Sequence, residues 1–342
     1  MTPLRTLTLA LAAALASGCT MIPGYERPAA PVAASFPNAA PAAAEATPAD
    51  AIAWRDYFSD ARLREVIALA LANNRDLRVA ALNIEKARAQ YRIQRADLFP
   101  AVGASGGMNA QRLPGDLTSS GEAEVNRSYS ATIGFSAYEL DFFGRIRSLN
   151  AEALETYLGT EEARRSAQIS LVAEVANAWL TLAADRERLA LARSTYETRQ
   201  KSSDLTRRSF EAGAVSALDL HQAETLLHNA RADAARYRSF VAQDENALAL
   251  IVGAPVPAEL LPATLTDSIS AVAELPAGVP SEVLVRRPDI LQAERALRAA
   301  NASIGAARAA FFPSISLTAA AGSASSTLGG LFDGGSGTWS FI

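Results

Sequence analysis

Two histidines and a glutamate have the spacing of metal ligands on a helix. His221, Glu224 and His228 follow one another at intervals of three and four residues, so a helix would place them on one face, where two imidazoles and a carboxylate could bind a divalent metal ion. In the heptad pattern described below, both histidines fall at outward positions beside the helix seam, where polar side chains are ordinary. We therefore expect a solvated helix face here and no metal site.

The other reactive side chains do not suggest a catalytic arrangement. With only two histidines in the chain, no histidine-activated serine or cysteine nucleophile is visible. Glu139 and Asp141 are two residues apart, but we expect them to end a strand and begin a helix rather than to act as acid and base. Lys86 and Lys201 are the only lysines, and neither follows a glycine-rich turn, which excludes a phosphate-binding loop. We predict no enzyme activity and no cofactor. The pI near 5.5 and the lack of a basic run predict no nucleic-acid partner.

The single cysteine, Cys19, follows a secretory signal, and being alone it excludes an internal disulfide and a multi-cysteine zinc site. Residues 1–18 carry one early positive charge, an apolar run too short to span a membrane, and small residues before the cysteine. This segment resembles the lipobox of bacterial lipoproteins, although Ala16 stands where leucine is commoner. We expect cleavage before Cys19, its acylation, and outer rather than inner membrane retention because Thr20 follows; the alternative is an unmodified thiol. The Pro/Ala-rich residues 19–53 predict an extended tether.

The composition predicts long packed helices, and the sequence contains an internal repeat. Of 342 residues, 49% are hydrophobic, 7% are aromatic and 74 are alanine, the best helix former. Residues 76–101 align without a gap with residues 289–314, which lie 213 positions later. The identities in the first copy are Asp76, Ala80, Ala87, Ala89, Arg95, Ala96, Phe99 and Pro100. Each copy therefore predicts a helix that begins at an aspartate and ends at a Phe-Pro pair.

After each Phe-Pro pair the spacing of apolar residues changes from helical to alternating. Residues 102–110, 128–140 and 314–321 alternate apolar with small or polar side chains, which predicts strands with one apolar face. The polar residues 115–127 join the first two strands, and residues 322–337 are their expected counterpart. Weak alternation of this kind is typical of membrane barrels.

A helical hairpin lies between the two copies. Residues 146–212 contain no proline and one glycine, so a single helix there could approach ~100 Å in length. Residues 216–252 hold five heptads, which predict a coiled coil. Its seam rows are Leu220, Leu227, Ala234, Val241 and Leu248, and Ala223, Ala230, Tyr237, Asp244 and Ile251. On the outgoing helix only one row is visible, Val175, Leu182, Leu189, Tyr196 and Phe210, and Ser203 interrupts it. In the turn, Gly213 can end the first helix in a left-handed conformation, and Ser216 with Asp219 can form a capping box.

Together these features resemble the outer membrane efflux lipoproteins of the NodT type, which are TolC-like outer membrane factors of tripartite export systems. The resemblance rests on the lipobox, residues 23–28, the duplicated helix-Phe-Pro-strand unit, residues 139–145 and residues 213–219, and it covers essentially all of the chain from Cys19 onwards. It implies a mainly α fold with membrane β structure, in which long coiled-coil hairpins form a periplasmic tunnel and each subunit of a homotrimer gives four strands to a twelve-stranded barrel.

The resemblance also implies a function and a location. The protein would be a passive gated conduit for small molecules in the cell outer membrane, anchored there through the acylated Cys19 and extending into the periplasm. Its partners would be an inner-membrane efflux pump and a periplasmic adaptor protein. By motif match, Gly213, Ala214 and Val215 occupy the turn that contacts the adaptor. Asp219 is a candidate gate residue, and a plain helix-capping acid is the alternative.

The resulting division of the chain is a signal peptide at 1–18, a tether at 19–53, a first repeat at 54–284 and an incomplete second repeat at 285–342. The period of 213 places a second hairpin beyond Ile342, so we expect a C-terminally truncated chain whose fourth strand has just begun. The alternative function is a periplasmic coiled-coil lipoprotein scaffold or adaptor without a pore, or a non-functional truncated product.

Overall fold

The computed structural model describes residues 20–29, 52–265 and 282–342. In chain order its elements are α1 (Trp54–Tyr57), α2 (Ala61–Asn73), α3 (Arg75–Ala96), β1 (Gly103–Leu113), β2 (Glu124–Glu139), α4 (Arg145–Glu211), α5 (Ala217–Val252), α6 (Glu282–Val285), α7 (Pro288–Ala309), β3 (Ser316–Ser325) and β4 (Gly337–Phe341). Single 3₁₀ turns occur at Gly115–Leu117 and Ala258–Leu260.

These elements form two compact units. The sheet unit comprises the described parts of Met1–Pro28, Glu85–Gly159 and Ala293–Ile342, and the hairpin unit comprises those of Ala29–Ile84 and Thr160–Gln292. Both units draw on sequence from each side of residue 285. The predicted division of the chain at that residue follows the sequence repeat and stays a prediction.

The helices and strands recur at the spacing of the sequence repeat. Helices α3 and α7 are both 22 residues long, and they begin at residues 75 and 288. Strands β1 and β3 begin at residues 103 and 316, and strands β2 and β4 begin at residues 124 and 337. Each pair is separated by the same 213 residues. The repeat is therefore one of structure as well as of sequence.

The sheet unit contains one antiparallel sheet in the order β1-β2-β3-β4. Strand β2 begins at Glu124, four residues before the predicted start, because it stays paired with β1 as far as Leu113. A bulge interrupts the register of β2 against β3 between Phe135 and Tyr138. At the bulge, Ala137 has φ 53°, and its N–H donates to Thr318 Oγ1 at 3.0 Å. The bulge keeps Phe135 and Tyr138 on one face, where their rings meet edge to face.

The N-terminal segment, residues 20–29, has no regular secondary structure and packs along α7. Asn301 Nδ2 donates to the Pro23 carbonyl at 2.8 Å, and the Arg27 guanidinium pairs with Glu294 at 2.8 Å. A Cβ atom on Gly305 would lie 2.7 Å from the Ile22 side chain, so the segment requires glycine at this position. The described part of the predicted tether is therefore fixed against a helix, and the tether as a whole stays a prediction.

The hairpin unit is built on α5 and on the part of α4 from Thr160 onwards. Helix α4 has 67 residues and is about 100 Å long, as predicted. All ten predicted seam positions of α5 are buried or half-buried. On α4, Ser203 is 1% exposed, so it continues the seam that the sequence suggested it breaks. A second α4 row, which the sequence did not reveal, contains Leu171, Ala178, Asp185 and Ala192, all buried or half-buried.

The core of the hairpin unit lies where α2 packs against the hairpin. Asp60 caps α2 by accepting from the N–H groups of Arg62 and Leu63, which fixes the start of the helix. The core side chains are Phe58, Leu63, Val66, Ile67, Ala70, Leu77, Leu171, Val175, Ala176, Trp179, Leu182, Leu248 and Val252. Trp179 is fully buried, and its indole N–H donates to the Leu260 carbonyl at 3.0 Å. The largest buried ring is thus both packed and hydrogen-bonded.

Candidate functional site

The turn between α4 and α5 is held by a local backbone motif. Gly213 has φ 74°; its N–H donates to the Phe210 carbonyl at 2.8 Å, and the N–H of Ala214 donates to the Ser209 carbonyl at 2.8 Å. This is a Schellman motif, in which a left-handed glycine satisfies the last carbonyls of a helix. Gly213 and Ala214 are exposed and Val215 is half-buried. The predicted adaptor-contact turn is therefore a locally hydrogen-bonded, solvent-facing tip.

Asp219 forms the predicted capping box at the start of α5. Its Oδ2 accepts from the Ser216 N–H at 3.0 Å and from the Ser216 hydroxyl at 2.6 Å, while the Asp219 N–H donates to Ser216 Oγ at 3.2 Å. The hydrogen bonds from the Ser216 hydroxyl and N–H lower the pKa of Asp219. The structure therefore confirms that Asp219 caps α5 and leaves an exposed, ionised carboxylate at the tip.

The His221, Glu224 and His228 set does not come together as a metal site. His221 Nδ1 is 3.2 Å from Glu224 Oε2, and Arg207 of α4 donates to Glu224 Oε1 at 2.9 Å. The hydrogen bond from His221, then the hydrogen bond and charge of Arg207, lower the pKa of Glu224. Among residues 20–29, 52–265 and 282–342, no three histidine, cysteine, aspartate or glutamate side chains are grouped to hold a metal ion. Glu224 instead ties α5 to α4.

Glu139 and Asp141 join β2 to α4, as the sequence predicted. Glu139 is the last residue of β2 and forms an ion pair with Arg145. The hydrogen bond that Arg145 donates to that carboxylate is the main cause of the raised pKa of Arg145. Asp141 accepts from the N–H groups of Ile146 at 3.2 Å and Arg147 at 2.9 Å, which caps α4. Both carboxylates are occupied by structural partners.

The two faces of the sheet differ in chemistry. Residues directly opposite one another in an antiparallel pair share a face, so the register assigns each strand residue to one side. One face carries Ala104, Met108, Ile133, Phe135, Ala319, Ala321, Trp339 and Phe341. The other carries Ser105, Asn109, Gln111, Asn126, Ser128, Ser130, Thr132, Thr338 and Ser340. Away from the loop end, where Arg112, Glu124 and Arg127 lie, the sheet thus has an apolar face and a hydroxyl and amide face, which a barrel wall needs between lipid and water.

Both edges of this sheet are free in the described chain. Strand β1 pairs only with β2, and β4 pairs only with β3. The free edge of each outer strand is a row of backbone donors and acceptors that can pair with another strand. Among the described residues the sheet is therefore open at both sides.

The hairpin seam contains one feature that the sequence did not reveal. Asp244 of α5 meets Asp185 of α4, and Asp244 Oδ2 is buried without a hydrogen-bond partner among the described residues. Burial, followed by the charge and hydrogen bond of Asp185, raises the pKa of Asp244. Arg188 donates to Asp185 at 2.7 Å. The sequence shows that a polar residue, Asp244, occupies a heptad seam position. It does not show which residue of the other helix Asp244 faces.

The predicted lipidation residue, Cys19, lies outside the described residues. The structure begins at Thr20, so the anchor stays a prediction from the sequence.

The family model described as outer membrane efflux protein matches residues 66–254 and 279–342. The toluene efflux pump outer membrane protein TtgC of Pseudomonas putida is 54% identical over 339 residues, which cover 98% of this chain and 70% of that protein. Outer membrane protein OprJ of Pseudomonas aeruginosa is 47% identical over 334 residues, covering 97% of this chain and 70% of that protein.

The structural comparison agrees. The open state of the MtrE outer membrane channel of Neisseria gonorrhoeae matches with a TM-score of 0.80 and 40% identity, covering 95% of this chain and 71% of that chain. The predicted fold class, long coiled-coil helices with membrane strands, is confirmed by this likeness.

Proposed function

Because this chain belongs to the outer membrane efflux protein family and is an outer membrane channel protein of an efflux system, we propose that three copies close one twelve-stranded barrel. The observation that carries the proposal is the sheet, which combines an apolar face, a hydroxyl- and amide-rich face and two free edges among the described residues. An open strand edge in lipid leaves backbone groups without partners, at several kcal/mol each. Closure with sheets from two further copies removes every such edge.

Closure can be tested with one proline. Ile342 and Thr318 exchange both backbone hydrogen bonds at 2.9 Å, so the N–H of the preceding residue, Phe341, points to the free edge, as alternate residues do in an antiparallel ladder. Phe341→Pro removes this N–H without touching the bonds to β3. We expect heat-resistant trimers on gels for the wild type and for the control Phe341→Ala, and monomers for Phe341→Pro. Equal trimer yields for the two variants would contradict closure through this edge.

The transport proposal is a passive conduit. The barrel needs no chemistry on the solute, and the driving energy comes from an inner-membrane pump that acts through a periplasmic adaptor. The lumenal face, which is mainly hydroxyl and amide groups, supports passage of small organic molecules, in line with the toluene efflux named for one relative. Expression of this protein in P. putida without TtgC should restore growth under toluene. Correctly localised protein that leaves the cells as sensitive as the deletion strain would contradict the conduit.

The tip of the hairpin is the proposed adaptor contact. Gly213 and Ala214 are exposed and locally fixed, so their surface is presented in one shape without support from the rest of the fold. A photo-crosslinking amino acid at Ala214 should capture the adaptor, whereas the same group at the exposed Arg193, which lies within α4, should not. Capture from both positions would show contact along the helices and contradict a tip-specific site.

Asp219 is the proposed gate residue. Its carboxylate is charged and exposed while it caps α5, so it is available for inter-helix bonds around a closed tip. The matched control is Ser216→Ala, which also breaks the capping box but keeps the carboxylate. We expect Asp219→Ala, and not Ser216→Ala, to raise closed-state conductance in planar bilayers and dye entry into cells. Equal leak in the two variants would assign Asp219 to capping alone.

Cys19 is the proposed anchor. Docking of residues 20–29 on α7 supports this assignment, because it ties the segment that follows the cysteine to the sheet unit. Mass spectrometry of the mature N-terminus should find an acylated Cys19. A free thiol at that position in purified protein would contradict the assignment.

A further inference from the structure

Two arginines lie on the apolar face of the sheet, at its loop end. Arg112 of β1 is opposite Val125, and Arg127 of β2 is opposite Ala110. Counted from Met108, which is opposite Tyr129, both arginines fall on the face that carries the apolar side chains. They are diagonal neighbours across the β1–β2 pair, about 7–8 Å apart at the backbone. Their guanidinium groups are therefore within reach of one common ligand.

The height of the arginines matches the edge of a membrane. On β2, Arg127 lies eleven residues from Tyr138, which shares a face with Phe135. Less the one residue taken up by the bulge, this is about 33 Å along a strand and roughly 25 Å along the axis of a barrel with the usual strand tilt. The apolar band of a membrane barrel is about 25 Å tall. Tyr129 lies just inside this limit, at the level where aromatic side chains flank the apolar band. The two arginines therefore lie at headgroup level.

The charge of the pair is unbalanced. Arg112 and Arg127 are exposed, and the ion pairs among the described residues include neither of them. The acidic residue nearest in the strands, Glu124, is opposite Leu113 and so faces the lumenal side. Two cations beside a lipid-facing apolar surface need an anionic partner, and arginine binds phosphate oxygens with two hydrogen bonds at once.

We propose that Arg112 and Arg127 form a binding site for the phosphate groups of an anionic glycolipid in the outer leaflet of the outer membrane. The proposal rests on the barrel of the proposed function, which turns the apolar face to lipid. The helices α3 and α4 connect to the strands at the opposite end, so the loop end lies on the outer side if those helices are periplasmic. The occupant is a lipid, because the flanking surface at Met108 and Tyr129 is apolar and accommodates acyl chains.

The test uses purified channel in detergent with diphosphoryl lipid A as the probe. We expect the double variant Arg112→Gln/Arg127→Gln to bind this lipid about tenfold more weakly than the wild type, and Arg112→Lys/Arg127→Lys to lose less than the glutamine pair. Arg193→Gln, which removes an exposed arginine from α4, should bind like the wild type. Unchanged binding by the glutamine pair, or an equal loss for Arg193→Gln, overturns the site.

A second measurement needs no substitution. Phenylglyoxal modifies exposed arginines, and peptide mass spectrometry locates the adducts. Diphosphoryl lipid A in phosphatidylcholine vesicles should protect Arg112 and Arg127, while Arg193 stays reactive; equal modification with and without the glycolipid overturns the site. Conductance in phosphatidylcholine bilayers separates the two proposals. A wild type that conducts but shows no protection contradicts the lipid site alone, and a wild type that never conducts contradicts the barrel and the site together.

Discussion

The two ends of the α4–α5 hairpin are held in different ways, although a left-handed glycine lies at each. At the tip, a Cβ atom on Gly213 would meet nothing within 4 Å. At the root, a Cβ on Gly253 would lie 2.6 Å from the Asn73 carbonyl oxygen, and Asn74 Nδ2 donates to the Ile251 carbonyl at 2.7 Å. At the tip only the backbone conformation requires glycine. At the root the neighbouring atoms also leave no room for a side chain.

The burial of side chains also differs between the root and the tip of the hairpin. Trp179, Leu248 and Val252 at the root are fully buried, whereas Leu218 at the tip is 65% exposed and Phe210 is 39% exposed. The root gains its stability from apolar area removed from water, and the tip gains its shape from a Schellman motif and a capping box. A tip that is shaped locally can keep its conformation while its surface stays free for a partner.

The largest expected effect is at the root. Trp179→Ala removes a fully buried indole and its hydrogen bond to the Leu260 carbonyl, so we expect a loss of about 3–5 kcal/mol. Urea unfolding followed by circular dichroism at 222 nm measures it. The matched change at the tip, Phe210→Ala, should cost much less. Equal losses at the two positions would show that the tip carries as much packing energy as the root.

The two glycines provide the next test. Gly253→Ala must strain a positive φ and also displace the Asn73 backbone, which we expect to cost about 2 kcal/mol or more. Gly213→Ala has open space around the added methyl group and should cost about 1 kcal/mol, from its φ alone. Thermal unfolding of both variants in the same detergent compares them. A larger loss at Gly213 would contradict the difference between root and tip.

Asp244, on the root side of α5, should make stability fall as pH rises. Its raised pKa means that the folded state holds a proton more strongly than the unfolded state, so its contribution is fully present below 3.8 and declines as pH rises through the raised value. Arg188, paired with Asp185, and the Arg186–Glu245 pair are the charges around it. Asp244→Asn should stabilise the protein at pH 7 and flatten this decline. An unchanged pH profile would show that the pKa of Asp244 is not raised in the folded protein.

The smallest effect is expected at the tip, with the opposite sign. The pKa of Asp219 is lowered by its hydrogen bonds to Ser216, so its contribution is present above the ordinary value of 3.8 and is lost as pH falls through the lowered one. Asp219→Asn should be slightly less stable at pH 7 and equal to the wild type in strong acid. In parallel pH titrations, the difference in stability between variant and wild type should therefore change in opposite directions for Asp244→Asn and Asp219→Asn.

The hairpin shows how far sequence reasoning reaches. The length of α4, the turn at Gly213 and the capping box were predicted, because helix periodicity and capping depend on residues within a few positions of each other. The second seam row of α4 was not found, because Asp185 within it and Ser203 in the first row are polar and break an apolar pattern. The small Ser203 packs in the seam all the same, and Asp185 is kept there by its contact with Arg188.

In the candidate site, too, some contacts were predicted from the sequence and others were not. The cap at Asp219 was predicted and is confirmed, and its gate role stays a proposal. The contact of Glu224 with Arg207 joins positions 17 residues apart on different helices, and no local pattern predicts which arginine faces which glutamate. The pairing depends on how the two helices are staggered.

The sequence by itself determined the repeat, the elements and their ends, since these depend on periodicity and on hydrogen bonds between near neighbours. The tertiary structure decided which residues share a face and which glycine admits no side chain. Ile133 lies beside Ala321 only because strands almost 190 residues apart pair in one register, and Gly253 is needed only because Asn73 approaches it. A cross-strand register and a close approach are relations between distant segments, and only the folded chain fixes them.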